Sequence, residues 1–364
     1  MTVKPLYLYA FCHCSRLFWF VALILTTSML SFNLSASTVT LQSWLNPFDS
    51  DSSKRTINYQ WETPSNFKQR ICAIIPSSST SYWFALNYGL VKKARAMGVT
   101  LKVYNINGNL SLSKEKQLIE QCIGQKPHSI IIGAQLSEGI DQSQTPNADK
   151  SQVIAVGKNL FSKTVDASSS ASFTDVGQQL SKYMNKRHTG ESINQTVLFP
   201  GDKTGQHVEA FVKGFTPNIN GNKYKVEDII YTPDSYLEIK IRLTNYLNNN
   251  LNTTTVVASA LVAQAAVEVL DEMSLTGDIQ IFSYELSAQV YRGIQRGNIS
   301  ASFISPPVIQ GFLAIDMAMK LHNNQLKEPH ISPIATLIDS DNITDFDISQ
   351  VFAPYGYRET LEVN

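Results

Sequence analysis

Short apolar runs alternate with longer stretches of helical spacing through most of the chain. The first run, CAIIP from Cys72, leads through a serine-rich turn into YWFALNYGLVKKARAMG. Apolar positions recur there every three or four residues up to Gly98, placed as a C-cap. TLKVYNI reads as a second strand, Leu110 to Cys122 as a second helix, SIIIGAQ as a third strand and Gln152 to Lys158 as a fourth. Strands separated by helix-length segments predict βαβ units and a parallel sheet. After the polar stretch SKTVDASSSAS the pattern restarts, with TVLFPG, KVEDIIYT, TTTVVASA, IQIFSYE and ISASFIS as strands between helices. The chain is therefore expected to be α/β, with two doubly wound parallel-sheet lobes joined by a hinge. The lobes are assigned to residues 69–162 plus 307–330 and to residues 163–306 plus 331–364. The helix after SPP is read as returning to the first lobe.

In such sheets ligands bind beyond the carboxyl ends of the strands. That rule places Thr80 to Trp83, Asn107 to Asn109, Gln135, Lys158 to Phe161, Asp202 to Thr204, Ser259, Tyr284 to Glu285 and Ser305 to Pro307 at a mouth shared by both lobes. Tyr82 and Trp83 are adjacent, so they cannot share one helix face, and at least one is expected to turn toward a guest. Aromatic faces there suit a small molecule. Glu285 either meets a cationic or hydroxylated ligand or caps the helix that starts near Ser287.

The N-terminus departs from this pattern. Lys4 and Arg16 precede the uncharged LFWFVALILTTSML, and small residues follow at Ser35 to Ser37, the order of a secretory signal with cleavage near Ala36 or Ser37. An uncleaved single-span anchor is the rival reading. Residues 1–36 are thus expected to be a signal peptide directing export to the periplasm, with no membrane insertion after cleavage. Residues 37–68 are read as an extended leader. Cys12 and Cys14 leave with the signal, and Cys72 and Cys122 remain. An even number in an oxidising compartment, at one edge of the sheet and without metal ligands nearby, points to a disulfide rather than a metal pair or reactive thiols.

Lys plus Arg and Asp plus Glu number 30 each, and no basic cluster stands out. That disfavours a nucleic-acid partner. The six histidines lack metal-ligand spacing, and no nucleophile elbow is present, so neither metal, cofactor nor enzymatic activity is expected. FPGDKTGQH lacks the P-loop order Gly-Lys-Ser/Thr and reads as a tight strand-to-helix turn with Asp202 or Thr204 near the cap.

The segments CAIIPSSSTSYWFALNYGLVKKARAMGVTLKVY, LFPGDKTGQHVEAFVKGF, VVASALVAQAAVEV, SYELSAQVYRGIQRGNI, VIQGFLAIDMAM and FAPYGYRE resemble the TorT-type periplasmic binding proteins. These partner the sensor kinase of the trimethylamine N-oxide respiratory system. The resemblance runs over nearly the whole chain from about Arg70, and the Tyr-Trp pair and Gln-Val-Tyr-Arg-Gly are its most specific pieces. It implies the type I periplasmic binding fold, a disulfide between Cys72 and Cys122, and docking on the periplasmic domain of a sensor histidine kinase. The family cages trimethylamine N-oxide with aromatics and an acidic residue just before the Tyr-Trp pair. Here the acidic position is Thr80, one cage tyrosine is Asn109, another is Glu285 beside Tyr284, and a tryptophan aligns with Phe173. The implied ligand is therefore a small polar molecule other than trimethylamine N-oxide. A solute receptor of an ABC importer is the alternative function.

Overall fold

The computed structural model describes residues 38–44, 52–64, 68–76, 80–106, 112–133, 151–157, 164–219, 221 and 223–364. The expected signal segment, Asn107 to Asn109, Gln135 and Lys158 to Phe161 lie outside the described residues.

The first sheet is built from β3 (Arg70–Pro76), β4 (Thr100–Ile106), β5 (Ser129–Ile132), β6 (Gln152–Gly157) and β7 (Ala167–Ser170), all parallel and in the spatial order β4-β3-β5-β6-β7. Its central strands are apolar along their length because helices cover both faces. β3 is buried from Ile71 to Pro76 and β5 throughout. The covering helices include α1 (Ser81–Met97) and α2 (Leu112–Gly124). The second sheet repeats the order, β9-β8-β10-β11-β12, over β8 (Asn194–Gly201), β9 (Tyr224–Tyr231), β10 (Thr255–Ala258), β11 (Gln280–Ser283) and β12 (Ala301–Ile304). Its helices are α3 (Phe173–Arg187), α4 (Gln206–Ile219), α5 (Tyr236–Asn249), α6 (Ala260–Glu272) and α7 (Ala288–Gln295). In both sheets the order reverses beside the first strand, and the crevice above that point is where doubly wound folds take ligands.

Four passages join the sheets, three of them short. β7 leads into α3, which packs in the second lobe. β12 leads into α8 (Pro307–His322), which packs on α1 in the first, and β13 (Ile331–Pro333) leads into β14 (Thr336–Asp339) at the edge of the second sheet. The chain then returns, and β15 (Glu362–Val363) pairs antiparallel with β4. Both crossover helices dock through glycine. A Cβ at Gly311 would lie 2.6 Å from the Leu86 carbonyl oxygen, and one at Gly177 would lie 2.5 Å from that of Phe211.

The strand pairing moves two expected boundaries. Ala167–Ser170, placed above in the second lobe, pairs with β6 in the first sheet, and the last residues also rejoin that sheet. β7 reads ASSS and its four residues are buried. Its serines signal a turn to local reasoning, while tertiary burial makes them a strand. The expected leader is also structured. β1 (Thr38–Trp44) and β2 (Lys54–Gln60) form an antiparallel pair, and β1 adds β13 on its other side. Leu41, Trp44 and Tyr59 are buried there. Asp316 of α8, also buried, anchors this layer. It accepts from the Tyr59 hydroxyl at 2.8 Å and the Glu62 backbone N–H at 2.9 Å, and pairs with Lys93 at 2.8 Å and Lys320 at 3.2 Å.

Cys72 of β3 and Cys122 of α2 form a disulfide, with Cα atoms 5.8 Å apart and a sequence separation of 50. Closing a loop of that size is worth about 4 kcal/mol in the chain-entropy account.

Candidate functional site

At the carboxyl end of β3 the chain enters α1 through Thr80, whose hydroxyl accepts from the Trp83 N–H at 3.5 Å as an N-cap. The two aromatics that follow divide between lobe and cleft. Trp83 is only 4% exposed and packs within the first lobe, its indole lying over the ends of β5 and β6. A Cβ at Gly133 would come within 2.6 Å of the Trp83 Cζ3 atom, and one at Gly157 within 2.8 Å of its Cη2 atom, so both positions require glycine. Tyr82 stands edge-on to this indole, with ring centroids 5.0 Å apart, and is the less buried of the pair. The Tyr82 hydroxyl donates to the Gln310 Oε1 atom of α8. Burial, and after it the negative charge of Glu285 from the second lobe, hold that hydroxyl well above the ordinary phenol range. Tyr82, rather than the indole, is thus the aromatic of the pair on which the Glu285 charge acts.

Glu285 follows β11 and its backbone is fixed. Its carbonyl oxygen accepts from the hydroxyls of Ser283 and Ser302, each at 2.8 Å. Its carboxylate is half-buried, with one oxygen 3.5 Å from the His207 Nε2 atom and the other accepting from the Ala260 N–H at 3.4 Å. Ser259, the N-cap of α6, makes no side-chain cap bond, so Glu285 serves the N-terminus of that helix, where a negative charge is favoured. Of the two readings that the sequence left open, capping of α7 falls to Ser287 itself, which accepts from the Val290 N–H at 3.2 Å. His207 lies edge-on to Phe173, the first residue of α3, at 5.3 Å.

Two other residues fall elsewhere. Tyr284 points into the second lobe's core. Its ring stacks on Phe211 at 3.9 Å and its hydroxyl donates to the Pro200 carbonyl at 2.5 Å. Burial, then the charges of Glu285 and Asp234, push its pKa up. Alternation along a strand explains the split, since neighbouring residues at its end face opposite ways. Asp202 closes the turn before α4, its Oδ1 atom accepting from the Thr204 N–H and hydroxyl at 2.8 Å each. Asn109 lies outside the described residues.

Phe173 therefore touches His207, His207 touches Glu285, and the Glu285 charge acts on Tyr82, a chain of contacts that adds two residues the sequence reading passed over. One is His207. The other is Gln310, which is buried and joins Tyr82 to Ser305, its Nε2 atom donating to the Ser305 hydroxyl at 2.9 Å. A signal for Gln310 was present, because it and Asp316 are the polar residues in the otherwise apolar PVIQGFLAIDMAM. His207 had none, standing in a polar turn like any surface histidine. Among the described residues no group of three or more His, Cys, Asp or Glu could hold a metal ion, and no helix is long and apolar enough to cross a membrane.

The profile of the periplasmic binding protein domain family matches residues 71–326. The chain belongs to this family. Similarity within the family runs to the TorT type. The periplasmic protein TorT of Escherichia coli strain K12 is 28% identical over 303 residues, covering 82% of this chain and 86% of that protein. Among solved structures, TorT in its ligand-free complex with the TorS sensor domain superposes with a TM-score of 0.72 at 25% identity, covering 81% of this chain and 100% of that one. An ABC transporter solute-binding protein from Bradyrhizobium sp. BTAi1, with bound bis-tris, gives a TM-score of 0.78 at 24% identity, covering 88% of this chain and 97% of that one. This periplasmic binding protein thus has the type I arrangement expected from its sequence. Its family is a solute-binding, non-enzymatic type.

Proposed function

We propose that this periplasmic binding protein is exported by a cleaved signal, docks on the periplasmic domain of a membrane sensor histidine kinase and signals whether its cleft is occupied. The similarity to TorT over 82% of the chain is the observation that carries this reading. The ligand is a small polar solute that bridges Tyr82 on one lobe and Glu285 on the other. Trimethylamine N-oxide is disfavoured because the place of the family's acidic residue holds Thr80, which serves as a helix cap. Occupancy can reach a kinase only if the kinase binds the closed and open arrangements with different affinity. The three short passages between the sheets, at 171–172, 305–306 and 334–335, are where the lobes would turn.

The test is an affinity measurement between the purified protein and the sensor domain of a histidine kinase encoded beside it, with and without a bound solute. Binding that shifts with solute supports the proposal. Absence of binding under every condition, with binding to a neighbouring permease instead, would replace it with the importer reading.

A further inference from the structure

We propose that the C-terminal segment FAPYGYRE is a strap that limits how far the lobes can part, with Asn87 of α1 as its lock. The strap belongs to the two-lobed body itself and would act alike beside a kinase or a permease.

The tail after β14 is anchored at both ends. On the second lobe, Ile343 and Val351 are buried in the core lined by α5, α6 and α7, and Phe352 lies edge-on to Tyr291 of α7 at 6.1 Å. On the first lobe β15 extends the sheet beside β4, the Leu361 carbonyl accepts from the Val103 N–H at 2.8 Å, and Glu362 pairs with Lys102 at 2.8 Å. Asn87 supplies the clasp. It is fully buried, and among the described residues every bond of its side chain runs to the tail. Its Oδ1 atom accepts from the Tyr357 hydroxyl at 2.6 Å and the Thr360 N–H at 3.4 Å, and its Nδ2 atom donates to the Thr360 carbonyl at 3.1 Å. A buried amide is costly without partners, so these bonds tie the tail to α1. The Tyr357 ring closes on Phe84 and Tyr88 of the same helix, at 5.3 and 5.0 Å.

Only residues 353–356 then lie between the contact on α7 and the clasp on α1. They are gathered in a turn, with the Tyr357 N–H donating to the Pro354 carbonyl at 3.0 Å. Gly356, at a φ of 82°, stands where a type II turn needs positive φ. Such a turn holds its end Cα atoms within about 7 Å, where four extended residues would span about 10–11 Å. Opening the turn would therefore let out only about 4 Å. A link this short stops the lobes parting on its side and leaves rotation about it. The lock sits on the helix whose first turn carries Tyr82, so the strap ties that wall of the cleft to the second lobe.

The test lengthens the strap without touching either anchor. Six glycine and serine residues inserted between Tyr355 and Gly356 add about 13 Å of root-mean-square reach, at little cost in closure entropy. The same insertion between Gly277 and Asp278, an exposed turn within the second lobe, is the control. Nitroxides on Glu120→Cys of α2 and Asn245→Cys of α5, both exposed positions, report the inter-lobe distance distribution by pulsed dipolar spectroscopy. The lengthened strap is expected to extend the longest distances by about 4 Å or more, and the control to leave them unchanged. Tyr357→Ser, which opens the clasp at native length, is expected to shift them in the same direction. Thermal unfolding checks that each variant folds, and if the insertion does not, Tyr357→Ser decides. Distances that stay at wild-type values in the lengthened strap, or that grow as much in the control, overturn the inference. A lengthened strap that shifts while Tyr357→Ser does not overturns Asn87 as its lock.

Discussion

Replacing Glu115 by glutamine is expected to stabilise the protein increasingly as pH rises. Glu115 lies in the first turn of α2 on the face that also carries Ile119 and Cys122. It is fully buried, and among the described residues neither carboxylate oxygen has a hydrogen-bond partner. Burial pushes its pKa from an ordinary 4.5 up to about 7. The folded state therefore holds this proton more tightly than the unfolded chain does. Its contribution is complete below pH 4.5 and is lost as pH climbs through 7. At 1.36 kcal/mol per pH unit the full loss is about 3 kcal/mol, most of which falls between pH 5 and pH 8. The helix N-terminus opposes this by favouring the anion, but by at most about 1 kcal/mol at such a position. Glutamine keeps the shape and cannot ionise. Its own cost as a buried amide is the same at both pH values and cancels in the comparison. Urea unfolding of wild type and Glu115→Gln at pH 5 and pH 8 gives four free energies. The variant should gain on the wild type by about 2–3 kcal/mol between them. A gap that moves by less than about 1 kcal/mol would refute the reasoning, because it would mean the carboxylate finds a proton donor or water in solution.

Asp316→Ala should cost about 3–5 kcal/mol, because it leaves Lys93, Lys320 and the Tyr59 hydroxyl around a removed charge, and chemical denaturation measures it. His330 is buried against Ser168 at 2.8 Å and its pKa is lowered to about 4 by that burial, so its contribution is complete above pH 6.5 and disappears as pH falls through 4. His330→Gln should flatten the acid limb of the stability profile by up to about 3 kcal/mol, read from thermal unfolding between pH 7 and pH 4. Gly157→Ala should destabilise by about 1–3 kcal/mol and change the near-ultraviolet dichroism of Trp83, because the added methyl meets the indole at 2.8 Å and the Tyr82 hydroxyl at 3.0 Å from a backbone φ of 88°.

The alternation of apolar runs with helical stretches was enough to read two α/β lobes, since β3, β5, β8 and β10 are buried on both faces and carry unbroken apolar residues. Where burial falls on polar residues the same reading fails. β7 is a strand of serines, and the β1–β2 pair has polar and charged residues on its outer face, so neither shows as an apolar run. The site was legible at the level of position, because strand ends fix which residues reach the crevice. Direction was not legible. Trp83 and Tyr82 differ by one residue in a helix, Tyr284 and Glu285 by one at a strand end, and only packing decides which member of each pair turns inward. Gly133 and Gly157 make that decision for Trp83 by leaving room for its ring.

Motion between the lobes has few places to occur. Each crossover helix is locked to the first helix of the lobe it enters by backbone contact at glycine. Gly89 and Gly311 join α1 to α8, and Gly177 and Gly214 join α3 to α4, with hypothetical Cβ distances of 2.1 to 2.6 Å that exclude sliding past a side chain. Interfaces this close move as rigid bodies. Rotation is left to the short passages between the sheets, and two of these are tied to the N-terminal hairpin. β1 pairs along β13, and Lys54 of β2 forms an ion pair with Asp175 in the first turn of α3. Cutting that pair with Lys54→Met removes a tie between the hairpin and the second lobe without touching the crevice. Spin labels placed on α2 and α5 should then report a broader distribution of inter-lobe distances in pulsed dipolar measurements. An unchanged distribution would mean the ion pair is bystander to the hinge, and that stiffness there resides in the β1–β13 ladder alone.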